Sequence, residues 1–408
     1  MKTILGLDLG TNSIGWAKVC IDDNGNYLRD IKLGSRIIPM SQDVLGNFDK
    51  GVTESQTSVR TGYRGIRRLR ERSLLRRERL HRVLHVLDYL PPHYDCSIGW
   101  DRNAPSTYGK YLNHSEPKLA WERQEDGSMR FIFMDSFHEM MADFAKRQPS
   151  LVSDGKRIPL DWTIYYLRKK ALSQAIRKDE LAWILLNFNQ KRGYYQLRGE
   201  EDDTNSAKCE EYYELKVISV EADEEGKGGN TWYNVKLENG WIYRRQSKIS
   251  LSDWVGKTRE FIVTTEYEKD GVTLKRNKDG EIKRSFRSPS EDDWGLRKKR
   301  TEERLESSKM TVGAFVYEHL LSEPSDKIRG KFIRTIERKY YKEELYAILR
   351  EQSKYHEELH SEGALKKCAE ELYKNNQPHR ESLLKKDLIY LLLDDLIFYQ
   401  RQIGRAHV

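Results

Sequence analysis

The chain has 408 residues, 38% hydrophobic and 33% charged, with a formal net charge of +8, long enough for two or three domains with a sizeable core. Its four cysteines, Cys20, Cys96, Cys209 and Cys368, form no CxxC pair, which argues against a zinc site or a disulfide framework and fits a reducing cytoplasm. No signal peptide opens the chain, and the most apolar run, Leu388 to Phe398, is too short to span a bilayer and is broken by Asp394 and Asp395, so no membrane partner is expected.

From the N-terminus, Thr3 to Leu9 alternates so that Leu5, Leu7 and Leu9 face one way and Ile4, Gly6 and Asp8 the other, the period of a strand. Gly10 to Ser13 makes a tight turn into a second strand, Ile14 to Ile21, and Asp22 to Gly25 makes another; Ser35 to Met40 reads as a third strand. Asp8 thus sits near the tip of a hairpin beside a Gly-Thr turn with open amides. Such a carboxylate suits holding Mg²⁺ against phosphate oxygens. An Asp that merely caps a turn is the alternative for a lone D-x-G-T.

Residues 58–90 hold Arg60, Arg64, Arg67, Arg68, Arg70, Arg72, Arg76, Arg77, Arg79 and Arg82 against Glu71, Glu78 and Asp88, a local net charge of +7. Ile66, Leu69, Leu80, Val83, Leu84 and Leu87 fall at helical spacing, no Gly or Pro interrupts the run after Ile66, and Pro91-Pro92 is expected to end it. Like charges at i,i+4 such as Arg64/Arg68, Arg68/Arg72 and Arg72/Arg76 each cost an isolated helix roughly 0.2–0.5 kcal/mol. Two glutamates are too few to neutralise the row, so a bound phosphate backbone is expected to offset the repulsion, with Arg suited to bidentate grip. A solvated face or a targeting patch is the bland alternative.

Beyond the prolines, short helices alternate with polar loops, Met140 to Lys146 and Lys178 to Phe188 being the more helical pieces. The turn Lys191-Arg192-Gly193-Tyr194-Tyr195 reads either as a cation pair for a bent RNA backbone or as a helix end with cations on the dipole and a Gly cap. Short strands follow at Tyr212 to Val220, Thr231 to Leu237, Trp241 to Gln246, Glu260 to Tyr267, Val272 to Arg276 and Glu281 to Phe286, a meander or small barrel. Its Trp232, Trp241, Arg244, Arg245, Lys275 and Arg276 read as half-buried sheet in preference to an RNA-stacking surface. Amphipathic helices are expected near Val312 to Leu321, Tyr341 to Arg350, Gly363 to Tyr373 and Lys385 to Tyr399, with Asp394-Asp395 as surface charges.

The string TILGLDLGTNSIGWA (Thr3 to Ala17) resembles two groups of the ribonuclease-H-like fold, the sugar-kinase and actin ATPases and the RuvC-like nucleases. Followed by the arginine helix, it resembles the start of the RNA-guided DNA endonucleases of type II CRISPR systems. Ile164 to Gly199, Thr311 to Leu320, Ile333 to His356 and Leu388 to Arg401 are similar to recognition-lobe segments of that family's subtype C members, especially the Bacteroidetes-like ones.

The resemblance implies an α+β multidomain fold: a partial ribonuclease-H-like (RuvC) hairpin segment over 1–57, an arginine-rich bridge helix over 58–90, and a mainly helical recognition lobe over 91–204 and 289–402 with a β-rich insertion over 205–288. It implies a guide RNA (crRNA with tracrRNA) and target DNA as partners, a monomer in the bacterial cytoplasm, and Mg²⁺ or alternatively Mn²⁺ as the catalytic ion. Asp8 would be a catalytic metal ligand; Arg60 through Arg82, Lys191 and Arg192 would contact nucleic acid. The family's later RuvC carboxylates, its HNH nuclease and its reader of the protospacer-adjacent motif have no counterpart here. Ile403 to Val408 can be read from ATCGGAAGAGCACACGTC, a common sequencing-adapter sequence, and are expected to be artefact. A naturally short RNA-binding protein and a sugar-kinase-like or actin-like ATPase are the alternative functions.

Overall fold

The computed structural model of the chain describes residues 2–10, 13–22, 26, 31–39, 42–51, 57–113, 116–153, 158–193, 208–225, 229–268, 273–276, 280, 282–290, 293–322 and 336–399. The hexapeptide 403–408, Tyr194, Tyr195 and the Asp23 to Gly25 part of the second turn lie outside them. Contacts divide the chain into two units, 1–72 and 73–408.

In the first unit, β1 (Lys2–Leu9), β2 (Ser13–Ile21) and β3 (Lys32–Ile37) form an antiparallel sheet in the order β1-β2-β3. The Gly10 N–H donates to Ser13 O at 2.9 Å, closing the expected turn, and Asp8 lies opposite Gly15. The third strand starts three residues earlier than the pattern suggested, because Lys32 to Ile37 pairs in register with Lys18 to Ser13. The apolar side chains of this sheet are open: Leu7 is 59%, Leu9 71%, Leu33 74% and Ile37 71% exposed. A short helix, α1 (Gln42–Asp49), follows.

Helix α2 (Ser58–Val86) crosses the boundary between the units, which falls between Arg72 and Ser73. It stops before the prolines. Asp88 adopts φ 57°, and the Tyr89 N–H reaches back to Leu84 O at 2.9 Å, a Schellman-type end built on Asp instead of Gly. Pro92 starts the next short helix, α3 (Pro92–Asp95).

The helices of the second unit pack around one core. After the small hairpin β4 (Trp121–Arg123) and β5 (Met129–Phe131) come α4 (Met134–Arg147), α5 (Ser150–Ser153), α6 (Thr163–Lys170) and α7 (Lys178–Gln190). In α7, Leu181, Ile184, Leu185 and Phe188 recur at helical spacing and are wholly buried. Glu180 fixes the start of that helix by accepting from the Arg177 N–H at 2.9 Å. Beyond the sheet insertion come α8 (Trp294–Ser308), α9 (Val312–Ser322), α10 (Arg338–Gln352), α11 (Glu362–Leu372) and α12 (Gln377–Leu384), and finally a helical run from Leu388 that becomes a π-helix over Leu391–Ile397. Leu345, Ile348 and Leu349 of α10 and Leu391, Leu392 and Ile397 of the last run join the same core as Leu80, Val83 and Leu84 of α2.

One buried ion pair ties three of these helices. Arg168 of α6 grips Glu344 of α10 with Nε–Oε1 at 2.9 Å and Nη2–Oε2 at 2.5 Å, and the Gly313 N–H of α9 donates to the same carboxylate at 3.0 Å. The guanidinium also lies 4.4 Å from the Phe188 ring centroid. No side chain fits at Gly313, since a Cβ there would meet Glu344 Oε1 at 2.4 Å.

Between α7 and α8 stands a five-stranded antiparallel sheet in the order β10-β9-β6-β7-β8, from β6 (Lys208–Glu225), β7 (Thr231–Leu237), β8 (Ile242–Ser247), β9 (Thr258–Glu266) and β10 (Arg284–Arg287). The long β6 pairs with β9 through its first half and with β7 through its second, with a register irregularity at Val217/Ser219. Expected strands at Val272 to Arg276 and Glu281 onward shrink, among described residues, to isolated bridges at Leu274 and Arg276 plus β10. Leu215, Val217, Val235, Leu237, Phe261 and Val263 form a second core, against which Trp241 and Trp254 pack. Arg284 and Arg259 lie over those two tryptophans at 4.6 and 4.3 Å, and Arg244 lies over Trp232 at 5.1 Å, so these aromatics are covered by the sheet's own cations.

Two stability changes follow. Glu344→Ala strands the Arg168 charge in the core and should destabilise the protein by about 3–5 kcal/mol in denaturant unfolding. His81, fully buried between Gly109 O at 3.0 Å and Tyr94 Oη at 3.1 Å, is held neutral by that burial, its pKa lowered to about 4. The unfolded chain takes up the proton first, near pH 6.5, so stability should fall as pH drops from about 6.5 towards about 4. His81→Gln should flatten that fall when the two unfolding curves are compared across pH.

Candidate nucleic-acid interface

Helix α2 divides its arginines between two environments. From Ser58 to Leu75 every residue is exposed, Arg60, Arg64, Arg67, Arg68, Arg70 and Arg72 included. At 100° and 1.5 Å per residue, Arg60, Arg64, Arg67, Arg68 and Arg72 share an arc of about 140° over about 18 Å of axis. This stretch has little to hold it. Ile66 and Leu69, expected on the packing face, are 63% and 65% exposed, and Gly62 and Gly65 each cost a helix about 1 kcal/mol relative to Ala.

Past Ser73 the arginines become half-buried and acquire acids. Arg77 pairs with Glu116 and lies 4.5 Å from the Tyr111 ring centroid. Arg79 reaches Asp395 Oδ2 at 3.0 Å and the Tyr373 hydroxyl. Burial lowers its pKa, with Asp395 opposing that shift. Arg82 binds Glu371 Oε1 at 2.9 Å and lies 5.2 Å from the Tyr108 ring centroid, while Arg102 and the Tyr108 hydroxyl reach the same glutamate at 2.8 Å each.

These pairs revise the expectation that the row lacks internal neutralisation. The acids come from residues 116, 371 and 395, too distant in sequence to count from the helix itself. Asp395 also departs from its reading as a surface charge. It is 5% exposed and accepts from the Tyr373 hydroxyl and, at 3.0 Å, from His379. Asp394, one residue away and turned by the helix, pairs instead with Lys342.

Lys191 and Arg192 follow the end of α7. Lys191 donates its N–H to Asn187 O at 2.8 Å with φ −116°, so the helix closes without a left-handed glycine cap. Gly193 takes φ +75° two residues later, against the Tyr341 ring. Arg192 donates to Ile397 O at 3.1 Å, closing the C-terminal end of a different helix. Burial, with Arg76 and Arg338 nearby, lowers its pKa to about 9. Arg76 is half-buried in the same region.

Asp8 lies on an exposed stretch of β1. Among the described residues no group of three or more His, Cys, Asp or Glu side chains could hold a metal ion, and one carboxylate does not hold Mg²⁺ in a catalytic geometry. Among them, too, no helix is long and apolar enough to cross a membrane.

Arg79→Ala leaves Asp395 buried without its strongest partner. With Tyr373 and His379 still in place, the expected loss is about 2–3 kcal/mol in unfolding experiments. Arg68→Ala, on the open stretch, should change stability by no more than about 0.5 kcal/mol.

The family model for the bridge helix of the CRISPR-associated endonuclease Cas9 matches residues 60–95. No curated protein matches the chain in sequence. Among solved structures, the chain is similar to Campylobacter jejuni Cas9 in complex with sgRNA and target DNA, in one structure with an AGAAACA motif (16% identity) and in another with AGAAACC (15%). Each superposition has a TM-score of 0.36 and covers 99% of this chain. The chain spans 30% of the length of those proteins, and a TM-score at that level carries no weight, so the assignment rests on the helix. Residues 60–95 of the chain are thus similar to the bridge helix of the CRISPR-associated endonuclease Cas9.

Proposed function

We propose that the chain supplies the nucleic-acid-gripping part of an RNA-guided DNA endonuclease, and that the open face of α2 holds a phosphate backbone. The observation that carries this reading is the contrast within one helix. Where α2 meets the helical core, Arg77, Arg79 and Arg82 are paired with acids; over 58–75 six arginines point into solvent on a stretch weakened by two glycines and by mutual repulsion. A polyanion would supply the missing neutralisation and order the stretch. Guide RNA, as crRNA with tracrRNA, is the proposed ligand and target DNA its pairing partner, in the manner of the sgRNA and target DNA bound by the Campylobacter jejuni protein.

Arg60, Arg64, Arg67, Arg68, Arg70 and Arg72 are the proposed phosphate contacts, because guanidinium forks match phosphate oxygens and these six are accessible. Arg76, Arg77, Arg79, Arg82 and Arg192 are proposed to act chiefly by holding the helix in its seat. Lys191 is exposed and belongs with the proposed contacts. Asp8 is proposed as the first ligand of a Mg²⁺ or Mn²⁺ site that other carboxylates must complete. The subtype C likeness, the RuvC character of the first sheet and the recognition-lobe role of the helices belong to the same proposal. The uncovered Leu7, Leu9, Leu33 and Ile37 fit a sheet awaiting further chain.

Salt dependence tests it. With about six phosphates neutralised on single-stranded RNA, log Ka should fall against log salt with a slope of about −4. Replacing Arg60, Arg64, Arg67, Arg68 and Arg72 together by Ala should reduce that slope to about −1 or shallower without changing thermal stability. An unchanged slope would overturn the assignment. The chain by itself, given Mg²⁺, should leave plasmid DNA uncut, since the described residues gather no group of three or more His, Cys, Asp or Glu side chains that could hold a metal ion.

A further inference from the structure

Two arginines of the sheet insertion share one tryptophan. Arg245 lies near the end of β8 and Arg259 near the start of β9, strands separated in the sheet by β6 and β7. Because β8 and β9 run in opposite directions, both arginines fall at the same end of the sheet, where the chain between them forms the 3₁₀ turn Ser252–Trp254. Each lies two positions along its strand from a buried core residue, Tyr243 or Phe261, and so on the core-facing side at its rim. The Trp254 ring meets both. Arg259 Cζ is 4.3 Å and Arg245 Cζ 5.3 Å from its centroid, so the two guanidiniums can be no farther apart than those distances together allow.

Other cations of the insertion have acids. Arg244 pairs with Asp223, Lys275 and Lys283 with Glu266, and Arg287 with Asp293. Arg245 and Arg259 pair with no acid and make no side-chain hydrogen bond among the described residues. Arg259 Nε is sealed off; the remaining guanidinium nitrogens of the pair keep access to solvent. Stacking on an aromatic ring holds a guanidinium by its face and leaves the donors on its edge to other partners. Two such edges held side by side repel, and an anion between them removes the repulsion and satisfies both.

We propose that this rim of the sheet insertion is a second phosphate site for the bound RNA, gripped by Arg245 and Arg259 and positioned by Trp254, an inference that rests on the nucleic-acid reading above. A phosphate backbone fits better than a base, because the arginines already cover the indole. It also fits better than a single carboxylate, because successive phosphates of one strand engage both forks. Such a contact places RNA without reading its sequence.

The experiment uses the full chain and a single-stranded RNA long enough to extend beyond α2, with affinity measured across a range of salt. Arg245→Gln together with Arg259→Gln should make the slope of log Ka against log salt shallower by about 1.4, at about 0.7 per phosphate, which is about a 25-fold loss of affinity at about 0.1 M salt. Thermal unfolding should not change, and RNAs of unrelated sequence should lose affinity equally. Arg245→Lys with Arg259→Lys keeps the charges and loses the forks, so it should retain the slope and bind more weakly than the unaltered chain. Trp254→Leu should likewise lower affinity with the slope retained. An unchanged slope in the glutamine pair overturns the site, whether or not thermal stability moves. The same pair placed in the α2 variant with five alanines separates the two readings. If the glutamines reduce the slope and the alanines do not, the α2 reading falls and this site stands; if only the alanines reduce it, this site falls and α2 stands.

Discussion

Ten arginines on one helix repel each other, and the structure depends on how that repulsion is divided. Over the C-terminal half of α2 the offset is internal. Glu116, Glu371 and Asp395 come from remote segments to meet Arg77, Arg79 and Arg82, and Tyr111, Tyr108 and Tyr373 present ring faces to the same three guanidiniums. Leu80, Val83 and Leu84 are then buried on the inner side of the same turns. Charge pairing and apolar burial therefore act on one stretch of helix and seat it firmly. Over the N-terminal half neither term operates, and the same residue type is left exposed.

This asymmetry suits the proposed phosphate grip, which needs a helix both held and available. An arginine paired with a buried carboxylate is poorly placed to take a phosphate, since breaking the pair leaves an uncompensated charge. An arginine with no acid nearby gives up only hydration and counterions when it meets one. The proposed phosphate grip of α2 is thus confined by the placement of three acids that lie outside it. The Asp395 network extends the effect, because the last helical run of the described chain is bound to α2 through Arg79, Tyr373 and His379.

The sheet insertion follows a different logic. Its cations lie over its own tryptophans and pair with its own acids, as in Arg244 with Asp223 at 3.0 Å and Lys283 with Glu266 at 3.0 Å. Such self-contained pairing marks a half-buried sheet that stabilises itself. Asn187 Oδ1, buried and accepting no hydrogen bond from any described residue, lies among the helices instead.

Sequence by itself determined the local elements. Period-2 alternation and the Gly10 turn place the first hairpin, the apolar spacing of α7 and α10 names their buried faces, and the arginine density of 58–82 points to a polyanion, because each is a property of residues close together in the chain. It also carried the likeness that the bridge-helix match supports. Where α2 stops was decided by backbone geometry at Asp88, which adopts a left-handed conformation that propensity assigns to Gly or Asn. Which arginines are open, that Asp395 is buried and that Arg192 closes another helix were decided only by tertiary structure. Each depends on partners tens to hundreds of residues away, and pairing over such separations leaves no trace in the periodicity of a single chain.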